Sequence, residues 1–260
     1  MKEVKYIFFD IDGTLISHVG VSHIPEETRK AVTLLREAGH IPAIATGRGA
    51  FLAHQAAEEF GINYLVCSGG AQIITHGKEI FRAWFPDGAL DSFRKTAAEF
   101  PDRTAAIDDR YLYAGRAFSP YYDYFNNQAG YNCIRPLNDM KRAIICYVMI
   151  PPGLLNQKHG LFFSPPEGVR LELMRDFTEA RCAGTSKWNG IERLIEHEGA
   201  NIDDVIVFGD GPNDVEMIER ANIGVAVGRS SDDAKNAADY VCDDIDNGGI
   251  LKACKHLGLI

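Results

Sequence analysis

Short apolar runs that stop abruptly on a polar residue recur along this chain, with helical spacing between them. Residues 5–9 stop at Asp10, 41–45 at Thr46, 64–67 at Ser68, and 204–208 at Gly209-Asp210. Runs of this length and continuity are what strands look like when a parallel sheet buries both their faces. Pro25 opens a helical pattern in which Ala31, Leu34, Leu35 and Ala38 recur until Gly39. A second helix is predicted over 50–60, with Gly61 as its cap. The second half repeats the rhythm. It reads as helix 186–197, strand 204–208, a helix from about Asp214, strand 223–227, helix 232–238, strand 240–242 and a last helix from about Gly248. Alternation of this kind argues for a doubly wound, mostly parallel α/β sheet.

The rhythm breaks in the middle. Residues 71–85 read as a hairpin around His76-Gly77. Beyond it, runs at 143–150 and 169–174 mix with helical stretches near 87–100 and 120–128, and Pro151-Pro152-Gly153 and Ser164-Pro165-Pro166 mark turns. The simplest account is one α/β core, residues 1–81 and 184–260, interrupted by an inserted α+β domain over 82–183. No internal repeat or low-complexity segment is visible.

A formal net charge of −9 argues against a nucleic-acid or anionic-membrane partner. It leaves an anionic small molecule open, because a metal and a few basic groups reverse the sign locally. No apolar stretch approaches the roughly 18 residues of a membrane span. The start, Met1-Lys2-Glu3, carries no leader pattern. Cys67, Cys133, Cys146, Cys182, Cys242 and Cys254 form no C-x-x-C pair. Reduced, buried thiols and a cytoplasmic location are therefore expected. Oligomeric state is not written in the composition; a monomer is the working expectation.

Open parallel sheets bind ligands beyond the carboxyl ends of their strands. Here those ends carry Asp10 and Asp12, then Thr46, Gly47 and Arg48, then Asp210, Asn213 and Asp214, with Lys187 opening a helix. Several carboxylates at one place repel unless neutralised. Mg²⁺ suits them, since it takes oxygen ligands and is commonly held by a couple of carboxylates plus a phosphate. A carboxylate nucleophile can form an aspartyl-phosphate and split hydrolysis into two easier steps. Asp12, two residues after Asp10, is placed to protonate the leaving oxygen and then to activate water. Gly13 allows the loop to fold around a phosphate. Taken singly, His18 reads as a loop histidine, with a substrate-facing role, given its place just past Asp12, as the alternative. Tyr121, Tyr122, Tyr124 and Phe125 read as core of the inserted domain, with a sugar-stacking platform as the alternative, and Arg175 and Arg181 as a charged strand face, with reach to a substrate anion as the alternative.

Four segments together resemble the haloacid dehalogenase (HAD) superfamily, and most nearly its Cof-type sugar-phosphatase branch with a type IIB cap. They are Asp10-Ile11-Asp12-Gly13-Thr14-Leu15, Thr46-Gly47-Arg48, Thr185-Ser186-Lys187 and the run from Gly209 to Met217. The tail Ala237-Ala238-Asp239-Tyr240-Val241 and Asn247-Gly248-Gly249-Ile250 is also similar. The resemblance implies that Asp10 is nucleophile and metal ligand. It makes Asp12 the acid/base and a metal ligand through its backbone carbonyl. Asp210 would complete the metal site, and Asp214 would support it or pair with Lys187. Thr46, Lys187, Asn213 and the backbone at Ile11 and Gly47 would hold the phosphate. The inserted domain would be a lid that chooses the substrate.

The implied reaction is Mg²⁺-dependent hydrolysis of a small phosphorylated metabolite, a sugar phosphate being favoured. A sugar-phosphate mutase and a non-catalytic phosphosugar-binding regulator remain as alternatives, and the substrate itself is not legible. Gly69-Gly70-Ala71 departs from the Asn-Gly-Ala of many relatives, which puts the local loop in question. Gly228-Arg229-Ser230 departs from their Gly-Asn-Ala.

Overall fold

In the computed structural model of the chain, which describes residues 4–114, 134–149, 161–173 and 178–260, the run before Asp10 is strand β1 (Tyr6–Phe9), all four residues buried. There follow α1 (Glu26–Glu37), β2 (Ile41–Ala45), α2 (Ala50–Phe60), β3 (Tyr64–Cys67), β4 (Gln72–Thr75) and β5 (Lys78–Arg82). The middle of the chain gives α3 (Asp87–Glu99), β6 (Thr104–Ile107), β7 (Leu112–Ala114), β8 (Ile134–Pro136), β9 (Ile145–Val148), β10 (Val169–Leu173) and β11 (Thr178–Cys182). The last part gives α4 (Lys187–Glu198), β12 (Val205–Gly209), α5 (Val215–Arg220), β13 (Ile223–Val227), α6 (Asp232–Ala237), β14 (Tyr240–Cys242) and α7 (Gly249–His256).

Two compact units result. One holds Met1–Arg48, Ala53–Phe81 and Ser186–Ile260; the other holds Gly49–Leu52 and Arg82–Thr185. The first is built on a sheet of order β14-β13-β12-β1-β2-β3-β4-β5. Pairings from β14 to β3 are parallel, and β4 runs antiparallel to β3. The chain leaves β1 towards β2 and β3, then returns to β12 on the other side of β1. That makes β1 the switch point, where loops diverge and a ligand crevice opens. Phe8, Ala43, Val66 and Val207 of the sheet pack with Trp188, Ile191 and Leu194 of α4. Each such large side chain contributes roughly 1.5–3 kcal/mol by burial. Helix α4 starts where it does because the Ser186 hydroxyl accepts from the Asn189 N–H at 3.1 Å. It stops where Gly199, at φ +64°, takes the left-handed cap.

The second unit carries a sheet of order β10-β11-β9-β6-β7-β8. It is antiparallel except for β7 and β8. Leu90, Phe93 and Ala97 of α3 pack on Ala106, Cys146 and Ala180. Arg181 does lie on a charged strand face, but its own side chain is buried. Arg181 is 2% exposed and bonded to Glu179 at 2.7 Å and Glu172 at 3.0 Å. Cys67, Cys146, Cys182, Cys242 and Cys254 are buried and unbridged. Arg175, Cys133, the aromatic cluster at 121–125 and the helical stretch at 120–128 lie outside the described residues. Among the described residues no helix is long and apolar enough to cross a membrane.

Candidate active site

The loop after β1 is folded on itself. The Ile11 carbonyl accepts from Leu15 and Ile16 at 2.9 and 2.8 Å. Gly13 sits at φ +89°, and a Cβ there would stand 2.3 Å from Asp210 Oδ2. Glycine therefore lets the loop press against the end of β12. Thr14 Oγ1 donates to Asp210 Oδ1 at 2.8 Å.

Lys187, 2% exposed at the first turn of α4, donates to Asp10 Oδ1 at 2.7 Å and to Asp214 Oδ1 at 2.6 Å. Asp214 Oδ2 accepts from the N–H groups of Asp210 and Gly211 at 3.0 and 2.9 Å. Oxygens of Asp10, Asp210 and Asp214 lie within 4.8 Å of one another. Four residues from three separate parts of the sequence thus meet at the switch point.

Charge decides what this cluster needs. Three carboxylates and one ammonium leave two negative charges in a buried place. Burial lifts the Asp10 carboxyl to about 7, against the pull of Lys187, and the Asp214 and Asp12 charges add to the rise. Burial likewise lifts Asp210 to about 8, with the Asp10 and Asp214 charges adding to it. Burial alone would lower the Lys187 ammonium's pKa, but Asp10 and Asp214 hold it above the usual lysine value. Asp214 has both oxygens committed to Lys187 and to backbone N–H groups, so Asp10 and Asp210 are the members of the cluster that could hold an ion. An all-oxygen donor set short of two positive charges fits a hard divalent cation rather than zinc or copper.

Thr46, 1% exposed, follows β2 and accepts at Oγ1 from the Arg48 N–H at 3.1 Å. The Cβ position of Gly47 lies 3.8 Å from the Asn213 side-chain nitrogen, so these two stand together. The Asp12 carboxylate is engaged apart from the acidic cluster. Arg48 grips it with Nε at 2.8 Å and Nη2 at 2.6 Å, and His18 Nε2 stands 2.7 Å from Oδ1. Partial burial would lift Asp12, but Arg48 and then His18 outweigh it and hold the carboxyl well below the usual range.

The turn in question at Gly69 is explained by its backbone. Ser68, Gly69 and Gly70 have φ of 52°, 58° and 86°. At φ 58° and ψ 40°, Gly69 is in the left-handed region, which asparagine tolerates better than other side chains. Gly70 is more restricted, since a Cβ would stand 1.9 Å from the Ser186 carbonyl oxygen. The Ser68 and Gly69 N–H groups bond the carbonyls of Arg48 and Thr46 at 2.8 and 2.9 Å. This turn ties the loop after β2 to the residue before Lys187.

Sequence reasoning gave no role to Arg48, Thr14 or this turn, and read His18 as a bystander. Arg48 and Thr14 lay inside quoted motifs, which was the available signal. His18 carried only its place just past the first motif.

A family model described as haloacid dehalogenase-like hydrolase matches residues 7–147 and 173–254. The chain belongs to that family, and it is a phosphatase. It is 31% identical over 258 residues to YkrA of Bacillus subtilis (strain 168), provisionally named a phosphatase, covering 98% of each chain. It is 24% identical over 275 residues to YcsE of the same organism, named a 5-amino-6-(5-phospho-D-ribitylamino)uracil phosphatase, covering 98% of this chain and 96% of that one. Among solved structures it resembles one described as the HAD subclass IIB sugar phosphatase BT4131. The TM-score is 0.84 at 26% identity, covering 99% of this chain and 100% of that one.

Proposed function

We propose that the chain hydrolyses a small phosphate monoester with Mg²⁺, through a phosphoryl group carried on Asp10. The observation that carries this reading is the Lys187 bridge between Asp10 and Asp214 beside Asp210. It supports the reading because Lys187 joins the carboxylates of Asp10 and Asp214 next to Asp210, a grouping that suits a nucleophile, a fixed cation and donors for a divalent ion. Phosphoryl transfer asks for this, being mostly positioning and charge neutralisation.

A carboxylate oxygen of Asp10 bonds to phosphorus as the bond to the ester oxygen breaks, and that oxygen takes a proton through Asp12, which must first pick one up from solvent because Arg48 and His18 hold it ionised in the resting site. Asp12 then takes a proton from water. The water oxygen bonds to phosphorus, the Asp10 bond breaks, and inorganic phosphate leaves. Lys187 orients Asp10, and Thr46, Asn213 and the N–H groups of Ile11 and Gly47 hold the phosphoryl oxygens. Mg²⁺ on Asp10, Asp210 and the Asp12 carbonyl would neutralise the cluster and draw the phosphoryl group in. Asp214 steadies Lys187 and the turn at Asp210.

A sugar phosphate is the favoured substrate because BT4131 is described as a sugar phosphatase. YcsE carries a ribitylaminouracil phosphate in its name, so the leaving group varies among similar chains. Phosphate release over a panel of phosphomonoesters, with Mg²⁺ and with chelator, tests the reading. Release that needs Mg²⁺ and is fastest on a sugar phosphate is expected. Isomerised sugar phosphate without free phosphate would establish a mutase instead, and no release on any ester would point to a binding protein.

A further inference from the structure

The grip on Asp12 is not explained by the acidic cluster. Arg48 lies in the loop after β2, and Asp12 in the loop after β1, 36 residues earlier. The guanidinium meets both carboxylate oxygens in a fork, Nε to Oδ2 and Nη2 to Oδ1. A fork of this kind fixes the plane of a carboxylate as well as its position, which a lysine cannot do. His18 adds a second contact on Oδ1, and its other ring nitrogen stands 2.8 Å from Ser22 Oγ, which steadies the ring. Arg48 is itself anchored, since its N–H bonds Thr46 Oγ1 and its carbonyl accepts from Ser68. The Asp12 carboxylate is 41% exposed, whereas the Arg48 side chain is 15% exposed. A surface aspartate does not need this much support, but a group that must meet one atom of a substrate does.

We infer that Arg48 is a positioning residue for the leaving-group side of the reaction: it orients the Asp12 carboxylate, with His18 as the lesser support. This rests on the reading of Asp12 as the acid/base. Its consequence is selective. An ester whose leaving oxygen is strongly basic needs the proton from Asp12 as the bond to phosphorus breaks. A nitrophenyl ester departs as a stable phenolate and needs it far less. Loss of orientation at Asp12 must therefore harm alkyl phosphates more than nitrophenyl phosphate. Loss of phosphate binding, or of folding, would harm both alike.

The test compares kcat/KM for an alkyl sugar phosphate and for p-nitrophenyl phosphate in wild type, Arg48→Gln, Arg48→Lys, His18→Ala, Asp12→Asn and the double variant Asp12→Asn/Arg48→Gln. Arg48→Gln is expected to lose about a hundredfold on the alkyl ester and at least tenfold less on the aryl ester. Arg48→Lys should keep most of that split, since it restores the charge without the fork. His18→Ala should split in the same sense by about two- to tenfold. The double variant should be no worse on the alkyl ester than Asp12→Asn alone, because the two residues act as one unit. Equal losses of Arg48→Gln on both esters, or additive losses in the double variant, would overturn the inference while leaving the hydrolase reading intact. If Arg48→Gln does not fold, the Arg48→Lys and His18→Ala ratios decide it in the same way. A wild type inactive on both esters would overturn both readings together.

Discussion

Among the described residues, each unit of the molecule contains a buried ionic cluster, and the two are built to different ends. In the inserted unit, Arg181 sits between Glu179 and Glu172 on adjacent strands, one cation against two carboxylates, with Glu172 partly open to water. In the α/β unit, Lys187 faces Asp10 and Asp214 beside Asp210, one cation against three. The first cluster closes within a strand pairing and is one charge short, with Glu172 partly open to water to carry the excess. The second is gathered from the ends of different strands and is left two charges short. A buried charge without a partner is costly, so such a deficit persists only where something else completes it. The difference separates a cluster that holds a fold from one that waits for a ligand.

Removing the cation from each cluster sharpens that contrast most. Lys187→Met and Arg181→Met should each lower metal-free stability by about 3–5 kcal/mol, since each leaves buried carboxylates uncompensated. Mg²⁺ should recover a good part of the loss in Lys187→Met and none in Arg181→Met. Thermal melts with and without the ion read this out, and equal recovery in both would erase the distinction.

A smaller effect follows from the raised carboxyls. Asp10 and Asp210 are lifted to about 7 and about 8 from an ordinary value of 3.8. The native, metal-free state therefore holds protons that the unfolded chain has already released. Their contribution to stability is full below about pH 4 and is lost as pH rises through 7 and 8. Mg²⁺ must displace those protons, so its affinity should rise between pH 6 and pH 8. At a hundredfold excess over Kd the ion should stabilise by about 2.7 kcal/mol. Titration calorimetry should show protons released on binding, and a pH-independent Kd would contradict the account.

The smallest test moves the core cluster without touching a charge. Gly70→Ala forces a side chain against the Ser186 carbonyl at a left-handed φ, next to Lys187. It should cost about 1–3 kcal/mol and weaken the response to Mg²⁺. Gly69→Asn, one residue earlier, should cost less than about 1 kcal/mol, because asparagine accepts that conformation. Chemical denaturation of the pair measures both, and a reversed order would show that the turn does not steady the site.

The strands of the α/β unit were legible because burial on both faces writes them as unbroken apolar runs. Residues 41–45, 64–67, 223–227 and 240–242 became β2, β3, β13 and β14 with the same ends. Strands β6 to β8 were not singled out. Thr104-Ala105-Ala106-Ile107 is half alanine and weakly β-forming, and β8 ends on Pro136. Within the site, spacing marked Asp10, Lys187, Asp210 and Asp214, since each closes a strand or opens a helix, and Asp12, since it stands two residues after Asp10. Spacing could not show that Asp12 turns to Arg48, nor that His18 joins it. Those contacts depend on how two loops fold back beyond the sheet, which no local pattern encodes.

The most direct test is covalent capture at Asp10. Rapid acid quench during turnover with a good phosphomonoester and Mg²⁺, followed by peptide mass spectrometry, should find a phosphoryl group on the peptide containing Asp10. It should be absent from Asp10→Asn, which should also lose phosphate release by at least about a thousandfold. A phosphoryl group on another residue, or full turnover by Asp10→Asn, would contradict the account.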